Sequence, residues 1–371
     1  MADKKVLQQK LDELQESYSK TKYNKATNKY LSILRAKMAK IKRTLAEKKS
    51  KKGTGYGVRK SGNATVVLVG FPNAGKSSLL KRLTDAESKV ADYAFTTLDV
   101  IPGMLEHNGA MIQVLDIPGL IEGAHIGKGA GTQVASVIRV ADLLLFVLDG
   151  TAPDQIYTLI NELSLLDIKV NKDKPKLMVE EKRSGGIVAV SNGHKIPDKG
   201  EVAAVLHEVG VYNGKVIFYS DMDTDELIAL LVENAIYVRG VVALNKTDLL
   251  SATKAEQLRK ELQTKLKTQV VAVSATKDTG MDALKDTIFD NLGLMRIYLK
   301  PKDGEPDFEK PFILPEGRNV TDLAKGLHSK AAMNLKCAYI TGKSARFSNQ
   351  KVGGEHVLQD GDTVTLVYEK F

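Results

Sequence analysis

The feature that most constrains this chain is the segment 70–77, Gly-Phe-Pro-Asn-Ala-Gly-Lys-Ser, which fits the pattern G-x-x-x-x-G-K-[ST]. It follows an apolar run at 64–69 that predicts a buried strand, and it precedes a stretch of helical character. In this setting, glycines let backbone N–H groups converge on phosphate oxygens, and the helix N-terminus adds its dipole. The segment therefore predicts a phosphate-binding loop.

Two side chains of this loop have specific predicted roles. Lys76 is expected to reach the β- and γ-phosphates of a nucleotide, and the Ser77 hydroxyl is expected to ligate Mg²⁺. The predicted nucleotide contacts in this part of the chain are Gly70, Asn73, Ala74, Gly75, Lys76, Ser77 and Ser78.

Further apolar runs predict more strands, and helical stretches lie between most of them. The runs are at 111–115, 143–149, 241–245 and 270–274. This alternation is typical of an α/β domain with a largely parallel sheet.

The segment 116–119, Asp-Ile-Pro-Gly, follows one of these predicted strands. An acidic side chain at a strand end can hold Mg²⁺ through water, so Asp116 is a predicted metal contact, and the Gly119 N–H is expected to sense the γ-phosphate. A threonine hydroxyl further upstream would complete the Mg²⁺ shell when the γ-phosphate is present. We favour Thr97 over Thr96 for that role.

The segment 245–248, Asn-Lys-Thr-Asp, caps another predicted strand and indicates which base is bound. The carboxylate of its aspartate can accept both the N1–H and the 2-amino group of guanine, whereas adenine would leave that carboxylate unpaired. After the next strand, the Ala275 N–H is expected to meet guanine O6. The predicted base contacts are Asn245, Lys246, Asp248, Ser274 and Ala275. Together these motifs predict a guanine-nucleotide site and argue against an ATPase.

Positive charge is concentrated near the N-terminus. The 371 residues carry a net charge of +9, but residues 1–60 alone hold 18 Lys and Arg against 5 Asp and Glu. Leucine-rich stripes at 7–14 and 31–45 recur with helical spacing and predict two helices packed as an antiparallel hairpin. A basic hairpin on a slightly acidic body indicates contact with a polyanion. The alternative is a solvated pair of charged helices.

The chain is expected to divide into a basic hairpin with its linker, a nucleotide-binding domain, an insertion within that domain, and a β-rich tail with one helix. These segments are 1–60, 61–294, 166–239 and 295–371. Within the insertion, two β-rich pieces at 176–182 and 186–191 flank Gly185-Gly186 and predict a β-hairpin.

The remaining composition excludes several classes of protein. Cys337 is the single cysteine, so neither an intramolecular disulfide nor a cysteine-based zinc site is expected. No apolar run reaches the ~18–20 residues that span a bilayer, and the first residues lack the apolar stretch of a signal peptide. The expectation is a cytoplasmic, monomeric protein without a membrane partner.

The ordered motifs, together with the long segments 92–98 and 116–124, resemble those of the Obg-related GTPases. Within that class the chain resembles the DRG (developmentally regulated GTP-binding protein) family, through Asn-Lys-Ala-Thr at 24–27, the insertion and the tail. The resemblance implies a TGS domain of β-grasp fold for the tail and a ribosomal protein S5 domain 2-like fold for the insertion. It also implies GTP as substrate, the ribosome or ribosomal RNA as partner, and a stabilising partner protein.

The predicted catalytic set is Lys76, Thr97 and Asn73. Ras-like enzymes orient the attacking water with a glutamine after the D-x-x-G motif, but this chain has Leu120 there, so we expect slow intrinsic turnover. In related GTPases an asparagine at the position of Asn73 helps to hold K⁺ against the phosphates. Asn73 is therefore a predicted K⁺ ligand, although it would also suit a role that only caps the turn. His125 is a candidate general base, with an exposed loop histidine as the alternative.

Two functions remain open on the sequence. The first is a Mg²⁺-dependent, potassium-stimulated GTPase that hydrolyses GTP to GDP and phosphate and acts as a switch on the ribosome or in translation. The second is a GTP-sensing adaptor that binds RNA or the ribosome and hydrolyses negligibly without a partner. Leu120 favours the second.

Overall fold

The computed structural model describes residues 2–22, 24, 27–50, 60–84, 101–117, 130–232, 235–328 and 331–369. The chain splits into two compact units. The first comprises Met1–Gly57, Lys128–Ser136 and Asn161–Tyr237, and the second comprises Val58–Gly127, Val137–Ile160 and Val238–Phe371. In the described part of the chain, no helix combines the length and apolar character needed to cross a membrane.

The helices are α1 (Ala2–Lys20), α2 (Asn28–Ser50), α3 (Lys76–Leu83), α4 (Ala130–Ile138), α5 (Gln155–Leu165), α6 (Lys199–Val209), α7 (Thr224–Val232), α8 (Ala252–Leu266), α9 (Met281–Asn291) and α10 (Val320–Leu327). The strands are β1 (Ala64–Val69), β2 (Ile101–His107), β3 (Ala110–Asp116), β4 (Leu143–Asp149), β5 (Ile168–Val170), β6 (Leu177–Glu181), β7 (Ile187–Val190), β8 (Gly214–Phe218), β9 (Ile236–Asn245), β10 (Val270–Ala272), β11 (Leu294–Leu299), β12 (Phe312–Pro315), β13 (Leu335–Thr341), β14 (Gln350–Val352) and β15 (Thr363–Tyr368).

Six strands of the main sheet follow the order β10-β9-β4-β1-β3-β2. Neighbouring strands run parallel, except that β2 and β3 are antiparallel. Every residue of β1 is buried, as expected for a continuous apolar run covered on both faces. The predicted α/β fold is therefore confirmed, and the carboxyl ends of β1, β3, β4 and β9 share one edge of the sheet.

Strand β2 was not predicted from the sequence. Pro102 and Gly103 lie near its start, and both residue types weaken a strand assignment. The structure places β2 at the end of the sheet order, with β3 as its partner, where a missing backbone N–H costs least. The strand nevertheless contributes Leu105, which is 1% exposed, to the core.

The C-terminal part of the second unit forms a mixed sheet in the order β12-β11-β15-β13-β14. Its central strands β11 and β15 run parallel, and the other neighbours are antiparallel. Helix α10 starts with a capping box between Asn319 and Asp322 and buries Val320 and Leu323 in the core of this sheet. A mixed sheet that packs on one helix in this way is a β-grasp, which confirms the predicted fold of the tail.

Within this C-terminal sheet, Arg296 and Asp360 form a charge-assisted cluster. The Arg296 backbone N–H donates to Asp360 Oδ1 at 2.7 Å, and its guanidinium donates to both carboxylate oxygens at 3.1 and 2.7 Å. These hydrogen bonds hold the pKa of the Asp360 carboxyl below its ordinary value. The Arg296 guanidinium also lies 5.7 Å from the centroid of the Phe289 ring.

Asp360→Asn is expected to lower the free energy of unfolding of this sheet by ~0.5–1 kcal/mol at pH 7, because each side chain of the pair is about one third exposed. A carboxyl whose pKa is lower in the folded state contributes stability above its unfolded pKa of about 3.9 and loses it as pH falls through the folded pKa. The backbone amides of β11 and β15 should therefore exchange faster in the variant than in the parent at pH 7. This difference should shrink as the pH falls below about 4. Asp303→Asn, in an exposed loop of the same sheet, is the control. A difference that widens as pH falls would contradict the prediction.

The insertion in the first unit has a topology that differs from the one predicted. Strands β6 and β7 do not pair as a hairpin, because β8 lies between them in the order β6-β8-β7. Strand β8 is antiparallel to β6 and parallel to β7. The prediction of a hairpin across Gly185-Gly186 was therefore wrong. The assignment of the insertion to an S5 domain 2-like fold stays a prediction.

Helix α2 packs on helices α6 and α7 of the insertion within the same unit. Ala36 and Ala39 belong to one buried cluster with Val205, Phe218 and Leu227. Small side chains at two positions three residues apart on α2 leave room for these larger residues to pack against the helix. Helix α2 of the predicted N-terminal hairpin and the insertion thus share a hydrophobic core.

Part of the positive charge of α2 is neutralised inside this unit. Arg35 forms an ion pair with Asp225 at 2.7 Å, and Lys37 forms one with Glu208 at 3.6 Å. Lys40 Nζ donates to the Glu208 carbonyl at 3.0 Å. These three basic residues therefore have partners within the chain.

Candidate functional site

The carboxyl edge of the main sheet gathers the polar motifs predicted from the sequence. Gly70 follows β1, Asp116 ends β3, and Asn245 ends β9. Ser274 follows β10 and is 1% exposed. Because these strands are parallel, their carboxyl ends meet at the edge where ligands bind in open α/β sheets.

The loop between β1 and α3 has the backbone conformation that its glycines allow. Gly75 has φ of +93°, and a Cβ at this position would collide with the side-chain amide nitrogen of Asn245. Asn73 also has a positive φ, +62°, in the left-handed region that asparagine tolerates better than most residues. Lys76 Nζ donates to the carbonyls of Gly70 and Phe71 at 2.9 and 3.0 Å. The loop therefore curls around the lysine ammonium.

Ser77 and Asp116 lie together at this edge. The Ser77 hydroxyl donates to Asp116 Oδ2 at 2.6 Å. Asp116 is 1% exposed, and its Oδ1 is buried with no hydrogen-bond partner among the described residues. A buried carboxylate oxygen without a partner is costly unless a cation or donor reaches it. The serine hydroxyl and this oxygen are hard oxygen donors, so the pair fits a Mg²⁺ ion.

Asn245 joins the phosphate loop to the loop that follows β10. Its Nδ2 donates to the Ala74 carbonyl at 2.9 Å, and its Oδ1 accepts from the Ala275 N–H at 3.1 Å. The side chain is buried, with 2% of Asn245 exposed. The Ala275 N–H, which the sequence assigned to guanine O6, is directed to Asn245 in this structure.

Asp248 is held by the same loop. The Ser274 hydroxyl donates to Asp248 Oδ1 at 2.5 Å and accepts from the Lys277 N–H at 3.1 Å. A hydroxyl that donates to one oxygen and accepts from a backbone amide limits the rotation of both partners. The aspartate predicted to read guanine therefore has a fixed orientation.

Asp149 was missed in the sequence and lies beside Lys246. The two side chains form an ion pair at 2.7 Å, and Asp149 Oδ1 also accepts from the hydroxyl of Thr151 at 2.6 Å. Burial raises the pKa of the Asp149 carboxyl, but the hydrogen bonds from Lys246 and Thr151 outweigh it, so the pKa lies below its ordinary value. Its position at the end of β4 was the signal that could have identified it.

The structure brings together most of the predicted site but not all of it. Ser78 follows Ser77 in the first turn of α3 and is exposed. Thr97, Gly119, Leu120 and His125 lie outside the described residues, so their predicted roles stay predictions.

Comparisons with known proteins match three segments of the chain to family models. Residues 65–182 match the family model described as 50S ribosome-binding GTPase, 184–294 match the C-terminal region of the MMR_HSR1 domain, and 295–368 match the TGS domain. The Schizosaccharomyces pombe YchF GTPase is a solved structure with 15% identity and a TM-score of 0.44, covering 83% of this chain and 99% of that one.

Several related proteins align with nearly the whole chain. An uncharacterized GTP-binding protein of Methanocaldococcus jannaschii is 38% identical over 373 residues, covering 98% of this chain and 93% of the relative. Human developmentally-regulated GTP-binding protein 2 is 36% identical over 365 residues, covering 97% of this chain and 98% of the relative. Identity at this level over the full length, with the P-loop and TGS domains in place, means that the chain belongs to the DRG family of Obg-related GTPases.

Proposed function

We propose that this chain hydrolyses GTP to GDP and phosphate with Mg²⁺, slowly on its own and faster with K⁺, as a switch on the ribosome or in translation. The observation that carries the proposal is the position of Asn245, whose amide contacts both the Ala74 carbonyl and the Ala275 N–H. One buried side chain thereby links the loop for phosphates to the loop for the base. A site with this link is suited to a nucleotide that spans both loops.

The phosphate end of the site would be served by Lys76, Ser77 and Asp116. Lys76 would exchange its contacts with the loop carbonyls for phosphate oxygens, and its charge would stabilise negative charge that develops there. Ser77 and Asp116 would hold Mg²⁺, which neutralises charge on the β- and γ-phosphates when bound. By resemblance to the family, Thr97 would complete the Mg²⁺ shell and the Gly119 N–H would contact the γ-phosphate.

Potassium would supply a second positive charge near the phosphates, with Asn73 as its proposed ligand. The side chain of Leu120 has no hydrogen-bonding group with which to orient water. An additional positive charge near the phosphates would therefore raise the rate of GTP hydrolysis strongly. Asn73 is exposed on the phosphate loop, in a conformation that places it outside the regular helix. An amide oxygen is a suitable ligand for a hard cation.

Turnover of GTP by the full chain is expected to be at least ~10-fold faster in KCl than in NaCl. Asn73→Gly should abolish the difference, because glycine tolerates φ of +62° and removes the side-chain oxygen without straining the loop. Asn73→Asp keeps an oxygen at that position and should retain the potassium effect. Phosphate release at saturating GTP is the measurement. Equal rates in the two salts for the unchanged chain would contradict the potassium proposal.

The ribosome is proposed as partner, and a cytoplasmic location follows from it. Support comes from the positive charge of residues 1–60, which includes the exposed Lys29 on α2. Support also comes from the family model that matches 65–182, which is described as ribosome-binding. We keep a monomer as the proposed state, with a stabilising partner protein proposed by resemblance to the family.

Addition of ribosomes separates the two functions left open by the sequence. Both should co-sediment with ribosomes. A switch should already hydrolyse GTP on its own in KCl, whereas the turnover of an adaptor should stay near background until ribosomes are added. Contacts with RNA phosphates should weaken as salt is raised, so binding that does not respond to salt would contradict a charge-based interface.

A further inference from the structure

Arg82 connects α3, the helix that follows the phosphate loop, to the loop proposed to bind guanine. It lies in the last turn of α3, and its Nε donates to the Ala275 carbonyl at 3.1 Å. The two residues are 193 positions apart in the chain, so this contact exists only in the folded protein. No sequence motif includes Arg82, and none of the roles proposed above uses it.

The loop that Arg82 contacts, residues 274–279, is here called the base loop. It is closed by paired backbone hydrogen bonds between Ser274 and Thr279 at 3.0 and 3.2 Å. Ala275 lies in it with its two backbone polar groups held by different elements. Asn245 Oδ1 accepts from its N–H, and Arg82 Nε donates to its carbonyl. The orientation of Ala275 therefore depends on two side chains, Asn245 at its N–H and Arg82 at its carbonyl.

Helix α3 is tightly packed and therefore fixes the backbone position of Arg82. Leu79, Leu80 and Leu83 on this helix are each at most 2% exposed. The same helix begins with Lys76 and Ser77, the residues proposed to hold the phosphates and Mg²⁺. Since the helix is short and packed on the sheet, the arginine extends from a fixed point toward the base loop.

We propose that Arg82 is a positioning residue for guanine recognition. It holds Ala275 by its carbonyl, so that the Ala275 N–H, which donates to Asn245 Oδ1 in this structure, can turn to guanine O6 when the base binds. A hydrogen bond from a guanidinium to a carbonyl is charge-assisted and directional. Without it, the carbonyl of Ala275 would be freer to rotate, and binding would have to order that residue at a cost in affinity. The inference rests on the proposal that a guanine nucleotide occupies this site.

Arg82→Met in the full chain is expected to raise the Kd for GDP by about 3- to 10-fold. The Kd for inosine diphosphate, which keeps O6 but lacks the 2-amino group, should rise by the same factor. The Kd for 6-thio-GDP should change less, because sulfur at position 6 is a weaker acceptor for the Ala275 N–H. The turnover number at saturating GTP should stay within about twofold, since Arg82 acts on the base and not on the phosphates.

Lys81→Met is the matched control, because Lys81 is the exposed neighbour on α3 and its loss changes the net charge by the same amount. This variant should bind all three nucleotides like the parent. Arg82→Lys keeps the charge and should recover part of the lost affinity, although lysine lacks the planar fork of arginine. It also serves as the test variant if the methionine variant unfolds at a lower temperature.

The outcomes distinguish this inference from the proposed function. Failure of the unchanged chain to bind GDP would overturn the proposed function itself. Normal binding by the parent together with an unchanged Kd in both Arg82 variants would overturn only the positioning role. An equal loss for GDP and 6-thio-GDP would also overturn it, because the effect would then not pass through the contact at position 6.

Discussion

Replacement of Lys76 by methionine is expected to lower GTP turnover by about 10²–10³-fold. The ammonium lies inside the phosphate loop, at 2.9 and 3.0 Å from two loop carbonyls, and would exchange these contacts for phosphate oxygens. Its loss removes a positive charge where negative charge develops in the transition state. Methionine retains the length and apolar body of the side chain, so the change is confined to the charged end. The measurement is phosphate release in a single turnover.

Lys81→Met again provides the control, since both lysines lie on α3 and only Lys76 faces the loop carbonyls. The control is expected to hydrolyse GTP like the parent. Thermal unfolding of both variants establishes that the helix is intact. Turnover by the Lys76 variant within threefold of the parent would contradict the assigned role of the lysine.

Replacement of Asp248 by asparagine is expected to change which base the site accepts. A neutral amide cannot accept both the N1–H and the 2-amino group of guanine, so the Kd for GDP should rise by about 100-fold. Xanthine carries a carbonyl where guanine has the amino group, and the asparagine N–H can donate to it. The Kd for xanthosine diphosphate should therefore fall. Calorimetric titration with both nucleotides is the measurement.

Asp278→Asn makes the same chemical change in the base loop without touching the proposed base contact. Asp278 is exposed and has φ of +59°, a conformation that asparagine adopts readily. This control should leave both affinities unchanged. A variant at Asp248 that still prefers GDP to xanthosine diphosphate would show that another group selects the base.

The secondary structure that could be predicted was the part in which local pattern and tertiary packing agree. The apolar runs of β1 and β4 are buried along almost their whole length, so hydrophobicity alone indicates them. The hairpin across Gly185-Gly186 was wrong because pairing depends on β8, which arrives later in the chain and lies between the two strands. A turn signal predicts a change of direction, but not which strand becomes the neighbour.

The site shows the same division between local and long-range information. The positions of Asn245 and Ser274 at the carboxyl edge of the sheet could be predicted, because each ends or follows a strand of a parallel sheet. The Asp149 contact with Lys246 was available by the same reasoning and was overlooked. Arg82 could not be identified, because it lies on a helix surface and meets its partner only through the tertiary fold.

Net charge gave an incomplete account of the N-terminal helices. The sum over residues 1–60 indicates a polyanion partner, but Arg35 and Lys37 are paired with acidic residues of the insertion. Such pairs join positions more than 160 residues apart, so composition cannot reveal them. The basic surface that remains for a partner is therefore smaller than the sequence suggested.

Phosphate release from GTP and from ATP, with Mg²⁺ in KCl and with the purified full chain, tests the central claim most directly. The arrangement of Asp248, Asn245 and the phosphate loop predicts that GTP is hydrolysed and that ATP is hydrolysed at least ~100-fold more slowly at equal concentration. Equal rates for the two nucleotides, or faster hydrolysis of ATP, would contradict the assignment of this site to guanine.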